Sequence, residues 1–83
     1  MRTIRVRLLL FAQYRDLAGT GERDIELREG ATAAELVAGL RQSPALSALP
    51  QRPALAVNQE YASLDAVLRD GDEVALLPPV AGG

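Results

Sequence analysis

The sequence contains no cysteine, no histidine and no lysine. Without Cys there are no disulfides, zinc–thiolate sites or thiol nucleophiles. Without His the chain lacks the commonest general base and the commonest metal ligand. Without Lys it lacks an amine nucleophile, and all nine basic residues are Arg. A chain so equipped has few routes to self-sufficient catalysis. Aromatics are also scarce: Phe11, Tyr14 and Tyr61, with no Trp. No basic run surrounds them and the net charge is −2, so no base-stacking platform or basic nucleic-acid surface is expected. The longest apolar runs, Leu8–Ala12 and Val74–Ala81, fall far short of the roughly 20 residues of a spanning helix. Met1 to Thr3 lead directly into a strand-like alternation, which predicts no secretory leader, no membrane association and a cytoplasmic protein.

What remains is a chain of 83 residues, 48% hydrophobic and 24% charged. That composition belongs to one small globular domain. Per-residue scaling gives a stability of roughly 4–12 kcal/mol.

Two periodicities organise it. In Thr3–Phe11, Ile4, Val6, Leu8 and Leu10 fall on one face and Thr3, Arg5, Arg7, Leu9 and Phe11 on the other, the period of a strand. The outer face turns apolar at Leu9 and Phe11, which suits either a strand covered on both sides near its end or a surface for a partner. Ala12–Ala18 predicts a short helix stopped at Gly19, with Gly19-Thr20-Gly21 as a turn. Arg23–Arg28 alternates with only Ile25 and Leu27 apolar, as in a half-exposed strand near an edge.

Thr32-Ala33-Ala34-Glu35 has the capping-box form, and Leu36, Val37 and Leu40 follow at helical spacing. The main helix is expected over 33–42, with Pro44 preventing continuation. Gly39 inside it suggests a close approach of helix to sheet. Ser43–Pro53 reads as a connection pinned by Leu46 and Leu49. Ala54–Val57 predicts a strand, Asn58-Gln59 a turn and Glu60–Ser63 a return strand. Leu64, Val67 and Leu68 form a covering segment, and Asp70-Gly71-Asp72 turns the chain into a last strand, Glu73–Leu77. There Val74 and Leu76 should face inward, Ala75 and Leu77 outward, and Pro78-Pro79 end the strand. One main helix against a small mixed sheet is an α+β layer packing. The first and last strands, the most apolar, are expected side by side and parallel.

Little of this is chemical. Asp70-Gly71-Asp72-Glu73 is too short for a calcium loop and reads as a turn. Glu60, Asp65 and Asp70 read as solvated surface, Gly19-Thr20-Gly21 does not match a phosphate-binding glycine motif, and no metal site or pocket of useful size is expected.

The C-terminus is different. The ordinary expectation for such an end is a frayed, flexible tail. Yet two prolines stiffen the exit. Side chains then shrink from Val80 through Ala81 to Gly82 and Gly83. Pro79 to Gly83 can reach about 17 Å at ~3.4 Å per residue. Such a thread can carry an α-carboxylate into a narrow tunnel of another protein. A free carboxylate is a poor electrophile and would need activation, for example by adenylation.

The segments Leu10-Phe11-Ala12-Gln13-Tyr14-Arg15-Asp16-Leu17, Ala56-Val57-Asn58-Gln59, Asp70-Gly71-Asp72-Glu73-Val74 and Pro78-Pro79-Val80-Ala81-Gly82-Gly83 resemble those of molybdopterin synthase small subunits, sulfur carriers of the ubiquitin-like β-grasp fold. The resemblance covers nearly the whole chain and is weakest across Ser43–Arg52. It departs at Leu76-Leu77, where the family often has aromatics. It implies a β-grasp domain over 1–79 and a Gly-Gly tail over 80–83. It also implies a non-catalytic subunit, in a heterotetramer whose large subunits supply the catalytic residues. An adenylating enzyme consumes ATP at the Gly83 carboxylate, a sulfur donor leaves a thiocarboxylate, and sulfur passes to a pterin precursor of the molybdenum cofactor. No cofactor is bound by the chain itself.

On this reading Gly83 carries the chemistry and Gly82 adjoins it. Leu77, Pro78, Pro79, Val80 and Ala81 contact the partner, with Tyr61, Phe11 and Arg15 as further contacts. Phe11 is read as core first and interface second; Leu77 and Tyr61 lean to the interface; Arg15 faces either an acidic partner residue or solvent. The absence of Lys would spare the activated terminus attack by its own amines, though Arg-for-Lys codon preference explains it equally well. The alternatives are a carrier for thiamine thiazole synthesis or tRNA thiolation, and a ubiquitin-like modifier of protein lysines.

Overall fold

The computed structural model describes residues 2–79. In order, the elements are β1 (Thr3–Leu10), α1 (Ala12–Ala18), β2 (Glu22–Arg28), α2 (Ala33–Arg41), a 3-10 turn (Pro44–Leu46), β3 (Ala54–Val57), β4 (Glu60–Ala62) and β5 (Glu73–Leu77). The strands form one mixed sheet in the order β2-β1-β5-β3-β4. β1 and β5 run parallel at its centre, with Leu8 opposite Val74 and Leu10 opposite Leu76. Antiparallel pairings add β2 to one side and the β3–β4 hairpin to the other. The charged β2 lies at an edge, as its alternation predicts.

The inner face of the sheet is the core. Ile4, Val6, Leu8 and Leu10 meet Leu55, Val74 and Leu76 there, with Leu36, Val37 and Leu40 of α2 over them. Leu46 and Leu49 are fully buried, so the proline-rich connection is nailed down by two leucines. Leu68 is buried and Leu64 half-buried, whereas Val67 is exposed and bridges Thr32 through its backbone.

The turns follow from side-chain chemistry. Asn58 and Gln59 both take positive φ, 53° and 72°, as the tight two-residue hairpin between β3 and β4 requires. The Asn58 amide donates to Asp72 Oδ1 at 3.0 Å, and the Glu73 N–H donates to Asn58 Oδ1 at 3.0 Å. Asp72 Oδ2 accepts from the Arg69 N–H and Asp70 Oδ1 from the Arg5 N–H, both at 2.8 Å. The acidic run 70–73 is thus a clasp that locks the turn before β5 to the hairpin and to β1.

Three expectations are corrected. Phe11 is neither core nor part of β1. It is the N-cap of α1 and 46% exposed, because the chain turns sharply at Ala12, with φ 47°, to send Tyr14 into the core instead. The capping box of α2 is half made. Thr32 Oγ1 accepts from the Glu35 N–H at 3.3 Å, but the Glu35 carboxylate is drawn away to the Arg28 guanidinium, a bidentate ion pair from helix to β2. Gly39 makes no close approach to the sheet. It is exposed, and a Cβ there would meet nothing within 4 Å.

Candidate functional site: the root of the C-terminal tail

β5 lies between β1 and β3 and delivers the chain directly to Pro78 and Pro79. Val74 and Leu76 are fully buried, so alternation places Ala75 and Leu77 on the outer face, both half-buried, as the sequence predicts. Neither Pro78 nor Pro79 has an N–H to extend the ladder, which ends at Leu77 opposite Ala54. The root of the tail therefore springs from the rigid centre of the sheet, not from an edge.

The register assembles a surface beside this root. Leu9 on β1 lies opposite Ala75, Ala75 opposite Ala56, and Ala56 opposite Tyr61 on β4. These four, with Leu77 and Ala54, make the outer face apolar and low-relief at the tail end. Tyr61, 85% exposed, stands above it. A tyrosine so exposed offers a large apolar body with a polar tip, a common anchor in protein interfaces. The opposite end of the same face is charged. Arg5, Arg7, Asp24, Glu26, Asp70 and Glu73 line an open groove of about 600 Å³. Opposite charges alternate across it, and Arg7 Nε lies 3.3 Å from Glu22 Oε1.

A second groove, of about 420 Å³, lies on the other side of the root. Its walls include Tyr14 and Leu17 of α1, Ala48 and Pro50 of the connection, and Pro79 itself. The absence of pockets expected from the sequence is thus corrected. The small core leaves a gap between α1 and the segment after the 3-10 turn. The Tyr14 phenol, buried at the base of this region, is held above its usual value of 10.0 by desolvation of the ionised form.

The predicted site residues divide accordingly. Leu77, Pro78, Pro79 and Tyr61 come together at the tail end of the outer face. Phe11 sits just beyond the end of β1 at the same end of the molecule, as the exposed N-cap described above. Arg15 does not join them. Its aliphatic part lies about 3.5 Å from where a Gly21 Cβ would be, on the far side of β1 from β4. Val80, Ala81, Gly82 and Gly83 lie outside the described residues. Sequence reasoning placed Ala75 outward but gave it no role, and it missed Ala54 and Ala56, whose small side chains also keep the outer face low, and Leu17, Ala48 and Pro50. The signal for Leu17 was available: once Tyr14 takes the core, a residue three positions on lies at the border of the buried stripe.

The site offers shape and an apolar surface rather than reactive side chains. Among the described residues no three Asp or Glu side chains converge as a metal site would require. No helix among them is long and apolar enough to cross a membrane.

Known proteins match this chain over nearly its full length. A curated relative from Mycobacterium tuberculosis, a molybdopterin synthase sulfur carrier subunit, is 43% identical over 82 residues, covering 96% of this chain and 99% of its own. Among solved structures, the small archaeal modifier protein 1 of Haloferax volcanii superposes with a TM-score of 0.82 at 28% identity, covering 93% of this chain and 99% of that one. A protein–protein complex of subunits 1 and 2 of molybdopterin-converting factor from Helicobacter pylori contains a chain with a TM-score of 0.70 at 28% identity, covering 96% of this chain and all of that one. The ThiS family model matches residues 8–83, from the end of β1 through the other four strands, both prolines and the terminal glycines. With the ubiquitin-like β-grasp topology described above, that match settles the kinship: this chain belongs to the ThiS family.

Proposed function

We propose that the chain is the sulfur carrier subunit of a molybdopterin synthase. The observation that carries this reading is the root of the tail. Pro78-Pro79 leaves the central strand between two apolar surfaces and leads through Val80 and Ala81 to two glycines. The domain is a rigid handle, residues 1–79, and the thread 80–83 is the working part.

The chemistry follows from the carboxylate. An adenylating enzyme joins a Gly83 carboxylate oxygen to the α-phosphorus of ATP and releases pyrophosphate. A sulfur nucleophile attacks the resulting acyl carbon, AMP leaves, and a thiocarboxylate remains. The thread then enters the large subunit, sulfur passes to a pterin precursor, and Gly83 returns to a carboxylate. Gly82, lacking a side chain, lets both enzymes close on the reacting atom. Leu77, Pro78, Pro79, Tyr61 and Phe11 supply the contact around the root, and Val80 and Ala81 line the tunnel entrance. Arg15 pairs with an acidic partner residue at the periphery of that contact. The catalytic residues belong to the large subunit, in a heterotetramer working in the cytoplasm. The chain binds no cofactor of its own. The likeness of the Mycobacterium relative and of the Helicobacter complex supports this reading.

A second reading, a protein modifier, is favoured by the likeness to the archaeal modifier. Lacking Lys, such a modifier could not be lengthened through its own side chains. The experiment that separates the two is intact-chain mass spectrometry after incubation with ATP, an adenylating partner and sulfide, followed by addition of large subunit and pterin precursor. The carrier gains one sulfur in place of one oxygen and loses it on the second addition. A chain that never acquires sulfur, or that appears only as isopeptide conjugates, overturns the carrier reading.

A further inference from the structure

We propose that the groove between α1 and the 48–50 segment is a second contact surface for the synthase large subunit, receiving an apolar side chain flanked by a cation. The inference rests on the carrier reading above and extends it to a surface on the opposite side of the tail from the outer sheet face.

Reach is the first argument. Pro79 is a wall of the groove, and only four residues separate it from the end of the sequence. Fully extended they span about 14 Å at ~3.4 Å per residue. A protein that closes over the Gly83 carboxylate is therefore brought within reach of the groove.

Wall chemistry is the second. Leu17, Ala48 and Pro50 present carbon to solvent, and Leu17 is 44% exposed on a seven-residue helix whose Tyr14 is buried. A single exposed leucine is ordinary on a small domain, but one that lines a concave apolar site with Ala48 and Pro50 suits a partner's side chain. At the rim stands Asp16, whose carboxylate has no ion pair among the described residues. It is the natural partner for a cation beside the inserted group.

Mechanical need is the third. The outer face grips the root through Leu77 on one side only. A thread pivoting at Pro79 multiplies any angular error along its length, and about 1 Å of misplacement can cost a hundredfold in rate. Contacts on both sides of the pivot remove that freedom. The large subunit, which must present the thiocarboxylate to a second substrate, needs this more than an enzyme that only captures the terminus.

The test measures affinity of the full-length carrier for the large subunit and, separately, for the adenylating enzyme by calorimetry, with a thermal melt of each variant. Leu17→Glu and Ala48→Glu each place a carboxylate in the groove, at exposed positions that should leave the fold intact. Each is expected to weaken binding at least tenfold. Asp16→Arg should weaken it several-fold, with the loss shrinking as salt rises. Leu77→Glu is measured in parallel. If Leu77→Glu weakens binding while both groove variants bind within twofold of the parent, the groove proposal is overturned and the carrier reading stands. If Leu77→Glu also has no effect, the docking geometry of the carrier reading itself fails. Should Leu17→Glu unfold the domain, Ala48→Glu decides alone. Tighter binding by the groove variants would mean that the chain's own tail occupies the groove, and weakened binding to the adenylating enzyme alone would assign the surface to that partner. Either result overturns the proposal.

Discussion

The two faces of the sheet are built by the same strands and the same alternation, yet they do opposite work. On the inner face every position of β1 is a branched aliphatic sealed beneath α2, Leu46 and Leu49. On the outer face the same strand shows Thr3, Arg5 and Arg7 to water before ending in a half-buried Leu9. The inner face has no freedom, since a methylene lost there leaves a void. The outer face is free along its length, and it turns apolar only where the tail departs. An apolar, low-relief surface is not needed for folding at that end, because the charged end of the same face folds equally well. Its position beside Pro78 suits it to the partner contact proposed above.

The largest expected effect is at the tail, where folding and function separate completely. Removing Gly82 and Gly83, or adding residues after Gly83, should abolish sulfur transfer with no measurable change in the melt. Truncation withdraws the carboxylate by roughly 7 Å at ~3.4 Å per residue. Extension converts the carboxylate into an amide and leaves nothing to adenylate. Single-turnover sulfur transfer checks both, and an extended chain that stays intact and still delivers sulfur would show that the carboxylate is not the carrying group.

The inner face gives the next largest change, in stability alone. Leu8 is fully buried at the centre of the sheet. Leu8→Ala should cost about 2–5 kcal/mol by lost transfer and cavity formation, a large part of the whole stability. Chemical denaturation measures it. A loss under 1 kcal/mol would mean that the core closes over the gap and that the two faces differ less than claimed. The outer face should answer in the other currency. Leu77→Glu leaves the isolated domain folded but weakens large-subunit binding by about 2 kcal/mol, roughly thirtyfold, because its carboxylate is desolvated without a partner. An unfolded Leu77→Glu domain would put that side chain on the wrong face.

A subtler test of the inner face uses pH. The Tyr14 phenol is raised by burial, so the unfolded chain releases this proton first as pH rises. The stability tied to the neutral phenol is fully present below the unfolded value near 10 and is lost as pH climbs toward the folded one. With no Lys or Cys to obscure that range, denaturation midpoints should fall above about pH 10 in the parent and fall less in Tyr14→Phe. Identical alkaline limbs would show that Tyr14 opens to solvent before the domain unfolds.

Much of this was legible in the sequence because one period of two, read in the first, second and last strands, fixes both what is buried and what faces out. The parallel pairing of β1 with β5 followed from their shared apolar content. What misled was context. Phe11 continues the alternation of β1 on paper, but the sharp turn at Ala12 takes it out of the strand and leaves it open. The capping box was read from Thr32 and Glu35, which cannot reveal that Arg28, seven residues earlier, competes for the carboxylate. The grooves were invisible because each is bounded by segments distant in sequence. The tail stands apart: Val80, Ala81, Gly82 and Gly83 lie outside the described residues, and the role proposed for them rests on their chemistry and on the resemblance, with sulfur transfer as its test.

The smallest expected effect is on α2, on the side turned away from the sheet. A glycine within a helix looks like a sign of tight helix–sheet contact, and Gly39 would then tolerate no side chain. Its surroundings say otherwise, since a Cβ there meets nothing within 4 Å and its φ is not in the left-handed region. Ala restricts the unfolded chain and favours the helical backbone, which stabilises by up to about 1 kcal/mol at such a position. Gly39→Ala should therefore raise the thermal midpoint by a few degrees, on the order of 4–8 °C per kcal/mol for a domain of this size. Large-subunit affinity and sulfur transfer should not move, because α2 lies behind the sheet from the outer face. A Gly39→Ala domain that melts lower would mean that something approaches this surface in solution. A domain that melts higher but binds the large subunit worse would place part of the interface on α2, and the division of labour between the two faces would have to be redrawn.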